Sequence, residues 1–392
     1  MIGVPPDYNL APYELSLCRA GKSPLHLVAT ILSYDTGVKI EEIFSQYGPR
    51  FRTINLSKDT DIVHPEIFTG LLHHCVAGSL SELSIKDSMS RHTLYNNEYY
   101  SNIDTIPDCE PGEHTFPPNA PQTASFLKIL GSLTAFRIRG FLLPWRDINF
   151  SSRLVQLHIA GIRLGYDHTI APFLQALSSA SELRDLKIIS VVSFHKDNTT
   201  SAENALPIVT LPKLRSFHLQ DLYFNTLRVL LSKITPGLPC LTLSLSFKSV
   251  EINRIKEITW GNNGNNDIGD DDSIPTIGEL WAALGPIQAD TLRIGEGSRA
   301  WLDGPMIRTF VRAMPILKTL QMDDWFFSDE DNSILSNLIR SHNTQSDQDG
   351  LIPALENIHL TRFALNNAEI LQEMVSSHPV QQIILGGDYQ GH

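Results

Sequence analysis

Cysteine is scarce in this chain, long apolar runs are missing, and basic residues are outnumbered by acidic ones. Of 392 residues only four are cysteine, and Cys18, Cys75, Cys109 and Cys240 are scattered with no CxxC pair. That usage excludes a disulfide framework and a thiolate zinc site, and it fits a reducing compartment where each thiol serves as a small buried hydrophobe. No stretch approaches the ~18 consecutive apolar residues of a membrane span. The opening residues MIGVPPDYNLAPYELSL hold no basic region followed by an apolar run, as a secretory signal would. The expectation is a soluble intracellular protein, cytoplasmic or nuclear, in which the sequons at Asn55, Asn149 and Asn198 are chance matches. Lys and Arg number 31 against 43 Asp and Glu, a formal net charge of -12. Phosphate recognition needs a basic surface, so a general nucleic-acid binder is disfavoured.

Catalytic signatures are missing as well. There is no GxSxG, no Walker loop, no HExxH and no GxGxxG. His73, His74 and Cys75 are consecutive, and consecutive residues on a helix cannot all face one ion. The cluster Asp267, Asp270, Asp271 and Asp272 lacks the alternate-residue spacing and closing Glu of an EF-hand loop. The expectation is therefore no enzyme activity, no cofactor and no metal.

What the chain does have is a repeated spacing, apolar-x-x-apolar-x-apolar. It occurs at Phe51/Ile54/Leu56, Leu80/Leu83/Ile85, Leu133/Phe136/Ile138, Leu154/Leu157/Ile159 and Leu183/Leu186/Ile188. It continues at Leu214/Phe217/Leu219, Leu238/Leu241/Leu243, Ala289/Leu292/Ile294, Leu317/Leu320/Met322, Leu355/Ile358/Leu360 and Val380/Ile383/Leu385. Successive copies often start 21 to 31 residues apart, the range of leucine-rich repeats. The last two apolar positions alternate with polar ones, as a half-buried strand requires, and the first tucks under the preceding turn. Between them lie helix-like stretches after Ile170, Asn225, Gly304, Asp329 and Asn366, several opening on Asp or Asn as a plausible N-cap.

The predicted fold is an α/β leucine-rich-repeat solenoid, with parallel strands on a concave face, helices on the convex face and about 11 irregular repeats. Residues 1–50 form an N-terminal cap with the first strand and helix unit. The solenoid runs over 51–392, with loop insertions near 87–122, 260–276 and 341–352 where Asn, Asp, Gly and Pro gather and the period lapses. A doubly wound α/β domain is the competing architecture, but no glycine-rich phosphate loop follows any strand.

The residue between the last two apolar positions should face outward on the strands. In order these residues are Asn55, Ser84, Arg137, His158, Lys187, His218, Thr242, Arg293, Gln321, His359 and Ile384. The middle of that column is basic on an acidic protein. Arg137, His158, Lys187, His218, Arg293, Gln321 and His359 are the candidate partner-binding residues, on a concave groove suited to an extended or acidic protein surface. Trp260, Trp281, Trp301 and Trp325 fall near inserted loops or just after strands, where packing roles are expected.

The segment Tyr13-ELSLCRAGKSPLHLVATI adds a resemblance. With Glu14, Leu15, Leu17, Arg19, Gly21, Pro24, Leu25 and Leu27 it resembles the run that follows the F-box in the F-box-like leucine-rich-repeat proteins of basidiomycete fungi. The repeats, such as Leu183-RDLKI, look like that family's and extend the resemblance over most of the chain. The family's members begin with an F-box that docks on the Skp1 adaptor of a cullin ubiquitin ligase. This chain begins after where that module would end, and Leu143-PWRDINFSS, which faintly resembles an F-box ending, lies between two repeats. The resemblance implies the substrate-recognition part of a ubiquitin-ligase adaptor, with a Skp1-type partner only if an upstream F-box exists. The alternatives are a stand-alone repeat scaffold, a secreted receptor-type repeat protein, and a degenerate α/β enzyme.

Overall fold

Each copy of the spacing becomes one short strand, and the two-residue alternation turns its last two apolar side chains to one face, buried in every copy but the last. The computed structural model describes residues 2–4, 19–59, 65–87, 121–195, 205–237, 241–253, 277–284, 288–295, 302–327, 332–340, 352–365 and 368–388. The chain divides into two compact units, Met1–Leu214 with Ile255–Asn262, and Arg215–Arg254 with Asn263–His392.

In the first unit, β1 (Ile2–Val4), β2 (Leu25–Ile31), β3 (Phe51–Lys58), β4 (Glu82–Asp87), β5 (Ala135–Arg139) and β6 (Gln156–Ala160) form a parallel ladder in chain order. Next come β7 (Arg163–Tyr166), β8 (Asp185–Ile189), β9 (Val192–Phe194) and β10 (Val209–Leu211). β8 joins the ladder beside β6, while β7 and β9 pair with each other in a separate two-stranded sheet. Leu27, Ile54, Leu83, Phe136, Leu157 and Leu186 lie opposite one another along the ladder, and each is 0 % exposed. Burying each such side chain contributes about 1.5–3 kcal/mol, and the row is one of several such apolar rows that hold the unit together.

Helices α1 (Tyr34–Tyr47), α2 (Pro65–His74), α3 (Pro121–Leu130) and α4 (Ala171–Ser178) cover the apolar face of the strands, with α1 packed on α2 and α2 on α3. Ser33 starts α1 in extended conformation, its Oγ accepting from Thr36 N at 3.3 Å, and Asp35 sits in the first turn where the helix dipole favours an acid.

Two devices recur at the strand ends. On entry, the amide of the first apolar residue folds back: Leu133 N donates to Leu130 O at 3.3 Å, Leu154 to Ser151 at 2.9 Å and Leu183 to Ala180 at 3.0 Å. One carbonyl of the preceding repeat then accepts two successive amides, as Ser81 O does from Thr134 (2.8 Å) and Ala135 (3.2 Å). On exit, a residue with left-handed backbone turns the chain: Gly140 (φ 78°), Gly161 (φ 57°) and Ser190 (φ 50°). The next residue, Phe141, Ile162 or Val191, is buried. The repeat thus carries a fourth apolar position beyond the three that define the sequence spacing.

The second unit repeats the plan. Its strands are β11 (Ser216–Gln220), β12 (Ile234–Pro236), β13 (Leu241–Leu245), β14 (Ala289–Ile294), β15 (Thr319–Asp323), β16 (Phe326–Phe327), β17 (Asn357–Leu365) and β18 (Gln382–Asp388). β11, β13, β14, β15 and β17 form a parallel ladder, and β16 and β18 both pair with β17. The helices are α5 (Phe224–Lys233), α6 (Ile277–Leu284), α7 (Gly304–Arg312), α8 (Asn332–Leu338) and α9 (Ala368–Ser376). α5 packs on α6, α7 on α8 and α8 on α9. The exit turn returns at Asp221 (φ 53°) and Asp324 (φ 62°), followed by buried Leu222 and Trp325. Trp325 is thus the core residue of this turn.

Asn225 is not the N-cap that its place in the sequence indicates. It lies one residue inside α5 and is buried, where its Oδ1 accepts from Asn253 N at 3.0 Å. Asp303 does cap a helix, accepting from Met306 N at 2.8 Å at the start of α7. Strand, turn, helix, turn, repeated about one parallel ladder, is leucine-rich-repeat architecture, and each unit is built that way. Of the three insertions, residues 88–120, 254–276 and 341–351 lie outside the described residues, as do Asp329, Asn366, Trp260, Trp301 and the Asp267–Asp272 cluster.

Candidate binding surface

The helices leave one face of each ladder open, and its outward side chains are mostly half-buried or exposed. In the first unit the residues of the sequence-derived column, Asn55, Ser84, Arg137, His158 and Lys187, lie opposite one another across neighbouring strands, and the structure extends the row to Val28 on β2. A second row, Thr53, Glu82, Ala135, Gln156 and Asp185, runs beside it.

The two rows are stitched together by hydrogen bonds. Arg137 Nη1 lies 3.6 Å from Glu82 Oε2, and Arg137 Nη2 donates to Gln156 Oε1. Gln156 Nε2 donates to Asp185 Oδ2 at 2.8 Å, and His158 Nε2 lies 2.9 Å from that same oxygen. The carboxylate accepts only, so His158 carries its proton on Nε2. The 3.0 Å approach of Gln156 Nε2 to His158 Nε2 is then two donors converging on one acceptor.

Electrostatics follow from that geometry. Burial pushes the His158 pKa below its ordinary value, outweighing the upward pull of Asp185, so the ring is neutral near pH 7. Burial alone would raise the Asp185 carboxyl, but the hydrogen bonds from His158 and Gln156 overcome it and hold the group below its ordinary value. Arg137 is 36 % exposed and Glu82 41 %, so their ion pair contributes at most about 1 kcal/mol and mainly sets orientation. Among the described residues Lys187 has no ion-pair partner. The permanent cations of the column are thus Arg137 and Lys187, and His158 is a neutral donor between them.

The second unit breaks the column. β13 and β14 shift register between Leu241 and Thr242, so Thr242 faces Thr291 and Ser244 faces Arg293. His218, opposite Thr242, therefore belongs to the row Thr242, Thr291, Thr319, Asn357 and Gln382. Arg293, Gln321 and His359 stay together, but in the row of Gln220 and Ser244. The cause lies in β13 itself. Its leucines alternate as Leu241, Leu243 and Leu245, all buried, so two placements of the apolar spacing satisfy burial equally well. His218 Nε2 donates to Gln220 Oε1 at 3.0 Å, and among the described residues the buried His359 Nε2 has no hydrogen-bond partner. Of the seven candidates, Arg137, His158 and Lys187 form one cluster, Arg293, Gln321 and His359 another, and His218 stands in a separate row.

Other polar clusters serve the turns. Asp167 is fully buried, with Ser193 Oγ donating to its Oδ1 and His195 Nδ1 3.2 Å from its Oδ2. The composition resembles a hydrolytic trio, but Ser193 is itself 0 % exposed and spends its proton on the carboxylate, so no substrate reaches an activated oxygen. Asp221 accepts from Ser246 Oγ at 3.0 Å and Lys248 Nζ at 2.9 Å, and Asp323 is held below its ordinary pKa first by the hydrogen bond from Arg362. Cys75 follows the end of α2, where burial pushes its thiol up to about 12, so it is an unreactive core residue. Among the described residues no group of three His, Cys, Asp or Glu is placed to hold a metal ion, and no helix is long and apolar enough to cross a membrane.

The outward column of the first unit was legible because strand spacing alone sets it. The row beside it, Thr53, Glu82, Ala135, Gln156 and Asp185, follows from the same spacing two residues earlier on each strand, but its hydrogen bonds to the column do not, because they depend on which strands become neighbours.

No protein-family model matches the chain, and no curated protein matches it. Among solved structures it resembles the Rad7 and Elc1 complex of yeast at 14 % identity and a TM-score of 0.39, over 85 % of this chain and 69 % of that one. It resembles the leucine-rich-repeat-containing protein LegL7 from Legionella pneumophila at 13 % identity and 0.37, over 82 % and 89 %. The TLR13-ssRNA13 complex is matched at 14 % identity and 0.34, over 90 % and 44 %. The fold assignment rests on strand register and burial in this chain rather than on likenesses so distant.

Proposed function

We propose that this chain is a non-catalytic, intracellular protein-binding repeat module whose docking surface is the open strand face of the first unit. The observation that carries the reading is the fixed polar array Glu82, Arg137, Gln156, His158 and Asp185, with Lys187 beside it and without an ion-pair partner among the described residues. Side chains already held by one another lose little freedom on binding, and Lys187, which has no ion-pair partner among the described residues, offers a cation to an acidic partner segment where Arg137 is already matched by Glu82. The resemblance at Glu14–Leu27 supports a finer version, in which the module selects substrates for an F-box-type ubiquitin ligase of a basidiomycete fungus.

Affinity capture from cell extract tests the general reading with three proteins in parallel: wild type, Arg137→Glu with Lys187→Glu, and a control with Glu42→Lys on α1. Proteins retained by wild type and control but lost by the strand-face double variant identify the partner, and that capture should weaken with salt. Identical capture by all three removes the strand face from consideration. Capture of Skp1 by the full product of the transcript tests the ligase link separately.

A further inference from the structure

The buried rows of the second unit stop abruptly at its last strand. Leu219, Leu243, Leu292, Leu320 and Ile358 lie opposite one another and are all 0 % exposed, yet Ile383, the next residue of that row, is 43 % exposed. In the neighbouring row Met322 is 1 % and Leu360 0 % exposed, and Leu385 then rises to 54 %. On the opposite face of β18, Ile384 is 40 % exposed. A repeat is buried by its neighbours on both sides. β18 has β17 on one side and, among the described residues, no strand on the other, which leaves one edge of backbone donors and acceptors open.

The chemistry of this edge selects its occupant. From Pro379 to Gly387 no residue is charged, and no proline lies within the strand, so the lysines, acids and prolines that normally blunt an edge are missing there. An antiparallel copy of the same strand, related by a two-fold axis at Leu385, meets no like charge, because the one charged residue of β18, Asp388 at its end, falls opposite Gln382. That register also sets Ile383 opposite Gly387 and Ile384 opposite Gly386, a large side chain against a small one each time. We infer that two copies of this chain associate through antiparallel pairing of β18 with β18, covering Ile383, Ile384 and Leu385 and continuing the ladder from one protomer into the other. The contact is isologous and closes at two.

Sedimentation velocity and light scattering on the 392-residue chain test the pairing. The expected mass is twice that of one chain, with association strengthening as salt screens the repulsion between two chains of formal charge -12. Leu385→Lys sets two cations against each other at the axis and should halve the mass with the far-UV circular dichroism unchanged. If that variant misfolds, Ile384→Lys on the opposite face serves instead. A monomeric wild type at tens of micromolar overturns the proposal, and so does a dimer that survives both substitutions. A ladder of larger species that collapses in Leu385→Lys indicates head-to-tail pairing of β18 with another edge and overturns the two-fold arrangement.

Discussion

His158 Nε2 and Asp185 Oδ2 approach to 2.9 Å across the neighbouring strands β6 and β8, and both groups are held below their ordinary pKa values. The lowered values set the sign of a pH effect. Between the folded value of His158 and its ordinary 6.5, the unfolded chain binds a proton that the folded chain does not, so stability is fully present above that window and falls as pH drops through it. Asp185 adds a loss of the same sign at lower pH, below its ordinary 3.8. His158→Gln keeps an amide donor of similar reach but does not titrate. Its urea midpoint at about pH 8 should lie within about 1 kcal/mol of wild type, while the decline toward about pH 5 becomes shallower. An unchanged slope would show that the pair is not titrating.

The exit turn gives a second prediction. Gly161 has φ 57° and occupies the same place in its repeat as Asp324, with φ 62°. Left-handed backbone disfavours any side chain, so Gly161→Ala should lose about 1–2 kcal/mol in chemical unfolding. Asp324→Gly relieves that same penalty against the added freedom of glycine in the unfolded chain, and should be neutral within about 0.5 kcal/mol. Equal losses in both variants would mean that the two turns are not equivalent.

His378 supplies a third. It is buried, its Nδ1 accepts from Leu355 N at 3.3 Å, and its Nε2 donates to Leu338 O at 2.8 Å, which ties the end of α8 to the approach to β17. Removing the ring leaves a donor and an acceptor without partners inside the core. His378→Ala should therefore cost about 2–4 kcal/mol. A change in urea midpoint equivalent to less than about 0.5 kcal/mol would show that water replaces the ring.

The spacing of apolar residues determined β3, β4, β5, β6 and β8 of the first unit and the outward column they carry, because burial on a two-residue period leaves one choice of face, whereas β1, β7 and β9 lie outside that spacing. Leu27, Ile54, Leu83, Phe136, Leu157 and Leu186 would all turn to solvent if any strand slipped by one residue. The same rule is blind to a slip of two, which keeps every apolar residue inside. At β13 only the packed structure chose between Leu241/Leu243 and Leu243/Leu245 as partners of the next repeat, and that choice moved His218 out of the row of Arg293. Tertiary structure likewise decided that His158 is neutral, because its charge depends on burial and on an aspartate 27 residues away in sequence. It also decided that Ile383 and Leu385 stand open, since their spacing matches that of the buried rows and only the neighbour on the far side of β18 is different.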